Sequence, residues 1–161
     1  MPLTPLHLGP GLLLGAFTLR FFNLWALLLG SVLMDVEPVG GIIIRGVSYH
    51  GPLHTILGAI LGSLIIATIL WSFRTKLDRI SLKYKIHQSF SFPVLFFSSL
   101  VGWLIHVFFD SLVHVDVFPF WPSQFNPFFI GKEIYWPLSF IFLIFGIIGL
   151  ILIIKKTKTY A

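Results

Sequence analysis

Residues 134–154 read IYWPLSFIFLIFGIIGLILII, a run with no charged side chain that opens after Glu133 and closes on Lys155 and Lys156. At about 1.5 Å of rise per residue such a run crosses the roughly 30 Å hydrocarbon core of a bilayer as one helix. Working outward, residues 53–73 lack any charge between His54 and Arg74, and residues 92–113 are apolar but for scattered serines, His106 and Asp110. These three segments read as clear spans. The N-terminal apolar stretch, residues 11–34, is interrupted by Arg20 and Asn23. It reads either as one span or as two short helices folded back at Arg20 into a re-entrant hairpin, a shape tolerated where protein covers it. The expected fold is all-α: a polytopic helical membrane bundle in one domain of 161 residues.

Composition agrees. A soluble domain carries about 25% charged residues, whereas this chain has 11%, with 57% hydrophobic and a mean hydropathy of +0.95. A small soluble domain leaves too much surface in water to hide that apolar fraction. Disorder and collagen-like structure are excluded on the same grounds. The chain has no cysteine, which removes disulfide scaffolds, thiolate metal sites and thiol redox chemistry. The N-terminus lacks a basic stretch ahead of its first apolar run, so no cleavable signal peptide is expected.

The net charge of +5 does not point to nucleic acid. Eight of the eleven basic residues lie in two clusters flanking apolar runs: Arg74, Lys76, Arg79, Lys83 and Lys85, then Lys155, Lys156 and Lys158. Such clusters mark cytoplasmic loops. They put the 74–91 loop and the C-terminus in the cytoplasm, and loops 35–52 and 115–134 on the other face.

The remaining polar residues are then one-sided. Asp35, Glu37, His50, His54, His106, Asp110, His114 and Asp116 all fall at the non-cytoplasmic ends of apolar segments, and His7 joins them if the N-terminal stretch is a hairpin. His106, Asp110 and His114 follow at intervals of four, so they share one helical stripe. His50 and His54 are also four apart, and Pro52 between them favours a helix start. Imidazoles and carboxylates converging from several helix ends suit a divalent metal, zinc by preference or manganese. The metal offsets the cost of placing carboxylates near lipid. Taken singly, each of these residues has a plainer reading as an interfacial hydrogen-bonding group or a helix cap.

Other features have structural readings. The aromatic stretch 117–136, with Trp121, Phe125 and Trp136, fits an interfacial belt, or a wall guiding an acyl chain toward the polar cluster. Gly58, Gly62, Gly146 and Gly149 allow close helix approach. No GxSxG nucleophile motif and no phosphate-binding glycine loop is present.

Four strings, TPLHLGPG from residue 4, VLMDVEP from 32, YHGPLHTILGAILG from 49 and GWLIHVFFDSLVHVDVFPFWP from 102, resemble in order the blocks of a family of membrane-bound metal-dependent hydrolases, also described as LexA-binding inner-membrane-associated hydrolases. That family is remotely similar to the zinc-dependent phospholipase C and nuclease superfamily. By position the resemblance implies metal ligation by His7, Asp35, His54, His106 and Asp110. The sequence departs from the family pattern where Glu37 and Pro38 replace an aspartate and a histidine, and where His50 lies one position late.

The resulting expectation is a membrane-embedded hydrolase that uses metal-activated water on a phosphoester or other lipid-derived substrate. His50 and His114 are further ligands, and Glu37 or Asp116 is a general base or an orienting partner. Arg45 is placed to bind a phosphate. The expected partners are the bilayer and its lipids. Two other classes compete: a metal or ion transporter lined by the same groups, and a haem protein ligated by His54 and His106.

Overall fold

A computed structural model describes residues 4–46 and 50–159, and every regular element among them is helical. The helices are α1 (Leu8–Thr18), α2 (Leu24–Gly30), α3 (Val36–Arg45), α4 (Ile56–Ser72), α5 (Arg74–Lys83), α6 (Phe92–Val113) and α7 (Tyr135–Thr159). Short 3₁₀ turns precede α1, α3, α4 and α7. Three runs are long and apolar enough to cross a membrane: Leu24–Ile44, Phe92–Val113 and Lys132–Lys158. Helix α4, of 17 residues, is long enough only when taken together with α5, from which it is bent by 76°. The bend puts the basic α5 across the end of the bundle.

The N-terminal stretch is not a single span. Thr18 ends α1, the chain reverses through Arg20, and Asn23 restarts it by accepting from the Ala26 N–H. Asn23 also takes its own backbone N–H to Ser98 Oγ and donates from its side chain to the Ser89 carbonyl. A polar residue in an apolar run thus becomes a cap with every group bonded. Gly15 packs against Leu24 and Leu27, and Gly11 against Leu28 and Ser31, so α1 and α2 are antiparallel. The hairpin returns the chain to the level of His7.

A second departure concerns residues 35–52, read from the sequence as a loop. Its first part is α3, a continuation of the α2 run that ends on Gly46, whose φ of +70° suits glycine. Val36, Val39, Ile43 and Ile44 are exposed, so α3 has an apolar face of its own.

Helix α6 is central. On one side Gly30 of α2 lies against the Ser99 backbone and Gly102 against the Leu27 carbonyl, approaches that any Cβ would block. On its other side Gly62 of α4 receives the Trp103 ring. The buried indole N–H donates to the Leu53 carbonyl at 2.8 Å, which pins the start of α4 beside His54. Helix α7 lies on α1, where Gly9 meets the Phe142 backbone and Gly149 meets Leu12. Most of the remaining apolar surface, including Ile60, Ile65, Phe140, Ile147 and Ile151, is exposed. That is the surface of a protein solvated by lipid.

Candidate metal centre

The hairpin, the turn before α4 and the C-terminal end of α6 bring five of the six histidines to one end of the bundle, and the turn before α3 adds Asp35. His7 stacks on His106 with ring centroids 3.9 Å apart, and His54 lies edge-on to His106 at 5.5 Å. His50 is 4.7 Å from His54 and 4.4 Å from His114. His106 lies seven residues before Val113, about 10 Å of helical rise inside the end of α6.

Asp110 is the hub. Its Oδ2 lies 3.2 Å from His106 Nε2, 3.7 Å from His54 Nε2 and 3.8 Å from His50 Nε2. Its Oδ1 is 3.4 Å from His7 Nε2 without hydrogen-bond geometry. Asp35 Oδ1 closes the other side, 3.4 Å from His106 Nε2 and 3.8 Å from His54 Nε2. Two ligand sets result, each with its donor atoms within 4.8 Å of one another: Asp35, His54, His106 and Asp110, all buried, and His50, Asp110 and His114. Asp110 belongs to both.

The outer ring nitrogens fix which atom of each imidazole faces inward. His106 Nδ1 is 2.7 Å from the Ser31 carbonyl, which can only accept. Nδ1 therefore carries the hydrogen, and the neutral ring presents a lone pair at Nε2. His54 Nδ1 lies 3.1 Å from Glu37 Oε2, and His50 Nδ1 lies 2.9 Å from Asp116 Oδ2. This is the arrangement by which a carboxylate or carbonyl orients a metal-binding histidine. Glu37 also accepts from the backbone N–H groups of Gly51 and Leu53, so one carboxylate shapes the turn and sets the ring. Asp116 accepts from the His50 backbone as well. Burial raises the Asp116 carboxyl, but the His50 hydrogen bond and charge outweigh it and hold the group below the usual range. Burial pushes His114 down to about 4 against the pull of Asp110, so its ring is neutral near pH 7.

Whether a cation fits is answered by what the cluster lacks. Among the described residues five buried side-chain atoms have no hydrogen-bond partner, and four of them are here: Asp35 Oδ2, His54 Nε2, Asp110 Oδ1 and His114 Nε2. Buried polar atoms are rarely left unpaired, and lone pairs aimed at one another need a proton or a metal between them. The nitrogen and oxygen donor set suits zinc or manganese. It does not suit haem, because the Asp110 and Asp35 oxygens stand within 3.8 Å of both the His54 and the His106 Nε2 atoms. They occupy the space that a porphyrin between those rings would need.

A cavity of about 300 Å³ opens beside His50 and Asp116, lined also by Thr55, Phe118, Trp121 and Gln124. A second, apolar groove of about 160 Å³ runs down α4 past Leu57, Leu61 and Ile65, and the two share Pro52, Thr55 and Trp121. The 117–131 segment covers this end, with the Pro119 carbonyl accepting from the Ile56 N–H.

Of the residues singled out from the sequence, His7, Asp35, Glu37, His50, His54, His106, Asp110, His114 and Asp116 are all brought together. Glu37 and Asp116 each touch a histidine Nδ1 atom, the contact that an orienting partner would make. The side chain of Arg45 lies outside the described residues. The Ser31 carbonyl was missed, and no sequence signal marks a backbone acceptor. The Trp103 anchor was missed too, although a glycine on one helix facing a buried tryptophan on another is a sign of it.

The family model described as YdjM inner membrane protein matches residues 1–161. The chain belongs to that family. Membership in the YdjM family makes it an inner-membrane protein, in accord with its apolar helices, and the description carries no reaction. No curated protein and no solved structure matches the chain.

Proposed function

We propose that this YdjM-family protein is a metal-dependent hydrolase acting on a phosphoester or other ester of a membrane lipid. The observation that carries this reading is the inward Nε2 and outward Nδ1 arrangement of His50, His54 and His106 around the doubly shared Asp110 carboxylate. Asp35, His54, His106 and Asp110 would hold one metal, and His50, Asp110 and His114 a second, with His7 at the edge of the first. Metal bound there would supply activated water and charge stabilisation at a phosphoryl or acyl oxygen.

The chain's own groups do the rest. Glu37 and Asp116 hold their imidazoles in the ligating tautomer, and Asp116, the more exposed of the two, borders the cavity where a proton would be handed on. The groove along α4 would take an acyl chain, with the polar head beside His50. Trp121 and Phe118 would exclude bulk water from that head. Residues 74–91 and the C-terminus would face the cytoplasm, with the site on the opposite side.

Elemental analysis of the purified protein tests the reading, paired with hydrolysis of a lipid phosphoester and a soluble aryl phosphate. Stoichiometric zinc or manganese lost in His106→Ala and Asp110→Ala, with hydrolysis lost in parallel, is the expected result. Wild-type protein that folds, binds no added metal and hydrolyses neither substrate overturns it. Metal flux into sealed vesicles without hydrolysis would instead favour a transporter.

A further inference from the structure

A larger cavity, about 500 Å³, lies at the other end of the bundle and shares no residue with the histidine cluster. Three cations from three separate segments line it: Arg20 at the tip of the hairpin, Lys85 after α5, and Lys156 in the last turns of α7. Its apolar wall is formed by Leu19, Ile86 and Ile153, which belong to the cluster that joins α1, α2 and α7.

One of these charges is tied down through its side chain, and a second sits on a fixed backbone. Lys156 Nζ donates to the Ala16 carbonyl at 2.6 Å, so it is tied to the end of α1. Lys85 sits at φ +57°, the single non-glycine residue with positive φ among the described residues, fixed by the Lys85 N–H to Leu82 and the Ile86 N–H to Ser81. A glycine is the usual occupant of such a helix-ending position. A lysine there is strained backbone spent on a cation that lines a cavity. No carboxylate among the described residues forms an ion pair with Arg20, Lys85 or Lys156, and the ion pairs around Asp35, Glu37, Asp110 and Asp116 all lie at the other end.

Three like charges around one cavity repel unless an anion lies between them. The anion must tolerate an apolar wall and be present where apolar helices end, at the depth of lipid headgroups. We propose that this cavity binds the phosphate headgroup of an anionic phospholipid, with Arg20, Lys85 and Lys156 as its donors and with Leu19, Ile86 and Ile153 against its glycerol and upper acyl carbons. Such a lipid ties the hairpin tip to α7 and to the segment before α6. The site is independent of the proposed hydrolase activity.

Native mass spectrometry of the full chain in neutral detergent, with dioleoylphosphatidylglycerol, dioleoylphosphatidylcholine or inorganic phosphate added separately, tests this. One phosphatidylglycerol should be retained per chain in preference to phosphatidylcholine. At about 1 kcal/mol per cation, affinity should fall roughly fivefold in each of Arg20→Gln, Lys85→Gln and Lys156→Gln. Lys85→Gly separates binding from folding, because glycine relieves the backbone: its lipid-free melting temperature should hold or rise while phosphatidylglycerol affinity falls. Equal retention of phosphatidylcholine overturns the proposal, as does full displacement of the lipid by inorganic phosphate at matched concentration. So does an equal loss of affinity in Arg79→Gln/Lys83→Gln, a pair on exposed α5 outside the cavity.

Discussion

The two ends of this bundle solve the same problem in opposite ways. At the histidine end, Asp35 and Asp110 are buried together with His7, His50, His54 and His106, and each oxygen of these two carboxylates either lies within 4 Å of an imidazole nitrogen or has no hydrogen-bond partner. At the basic end, Arg20 and Lys156 are exposed, and the cations gather around a cavity without a carboxylate of their own. The difference follows from solvent. Charges withdrawn from water must be compensated by groups the fold carries with it, whereas charges at a membrane surface take their counter-charge from water, salt or lipid. Hence the acidic residues near lipid come as a network, and the basic ones come as a field.

The largest expected effect would break the histidine end at its hub. Asp110→Ala should lower metal affinity at both ligand sets by more than about 100-fold, exceeding the loss from an orienting group, as read by elemental analysis after dialysis. It should also destabilise the fold by roughly 3–5 kcal/mol, because the imidazoles lose their shared partner. If Asp110→Ala keeps its metal, the cluster is not organised around that carboxylate. Next, Glu37→Gln should cost about 10–100-fold in metal affinity, with Asp116→Asn nearer the low end of that range. The Asp116 side chain is 45% exposed against 13% for Glu37, so water can replace it. Comparing the two by calorimetric zinc titration sharpens the distinction between the two ligand sets.

Smaller effects test how the ends are held apart. Gly102→Ala and Gly62→Ala should each lower stability by about 1–3 kcal/mol, since the new methyl meets the Leu27 backbone or the Trp103 ring. Gly40→Ala in α3 meets nothing within 4 Å and should stabilise by about 0.5–1 kcal/mol. Thermal melts of the three variants in one detergent make the comparison. Smallest at the opposite end, Lys156→Gln should cost about 1 kcal/mol by releasing the Ala16 carbonyl.

Much of the site was legible because membrane composition makes polar residues conspicuous. His106 and Asp110 share a helical face whatever the tertiary fold, and Phe92–Val113 is helical over the range its apolar run suggests. The turn at Arg20 was legible only as one of two choices. A lone arginine and asparagine can snorkel from a continuous span or end a helix, and what decides is the partner offered. Here Ser98, Ser89 and Gln88 supply it to Asn23 and Leu24. Helix α3 falls within the loop read over 35–52 because the apolar run before it ends at Met34, and Pro38 does not keep the helix from forming beyond it. Pro38 is buried in the first turn, where a missing N–H costs nothing.

The sequence by itself determined the solvent, the two spans that α6 and α7 form and the end to which the clustered histidines and carboxylates go, because these depend on local hydropathy and on helical period. Only the tertiary structure decided that Asp110 is shared by two ligand sets, that Ser31 rather than a carboxylate sets the His106 tautomer, and that Arg20, Lys85 and Lys156 meet around one cavity. Those are relations between residues far apart in the chain. They exist because glycines at 30, 62 and 102 let three helices approach to backbone distance, and no one-dimensional pattern records which faces then meet.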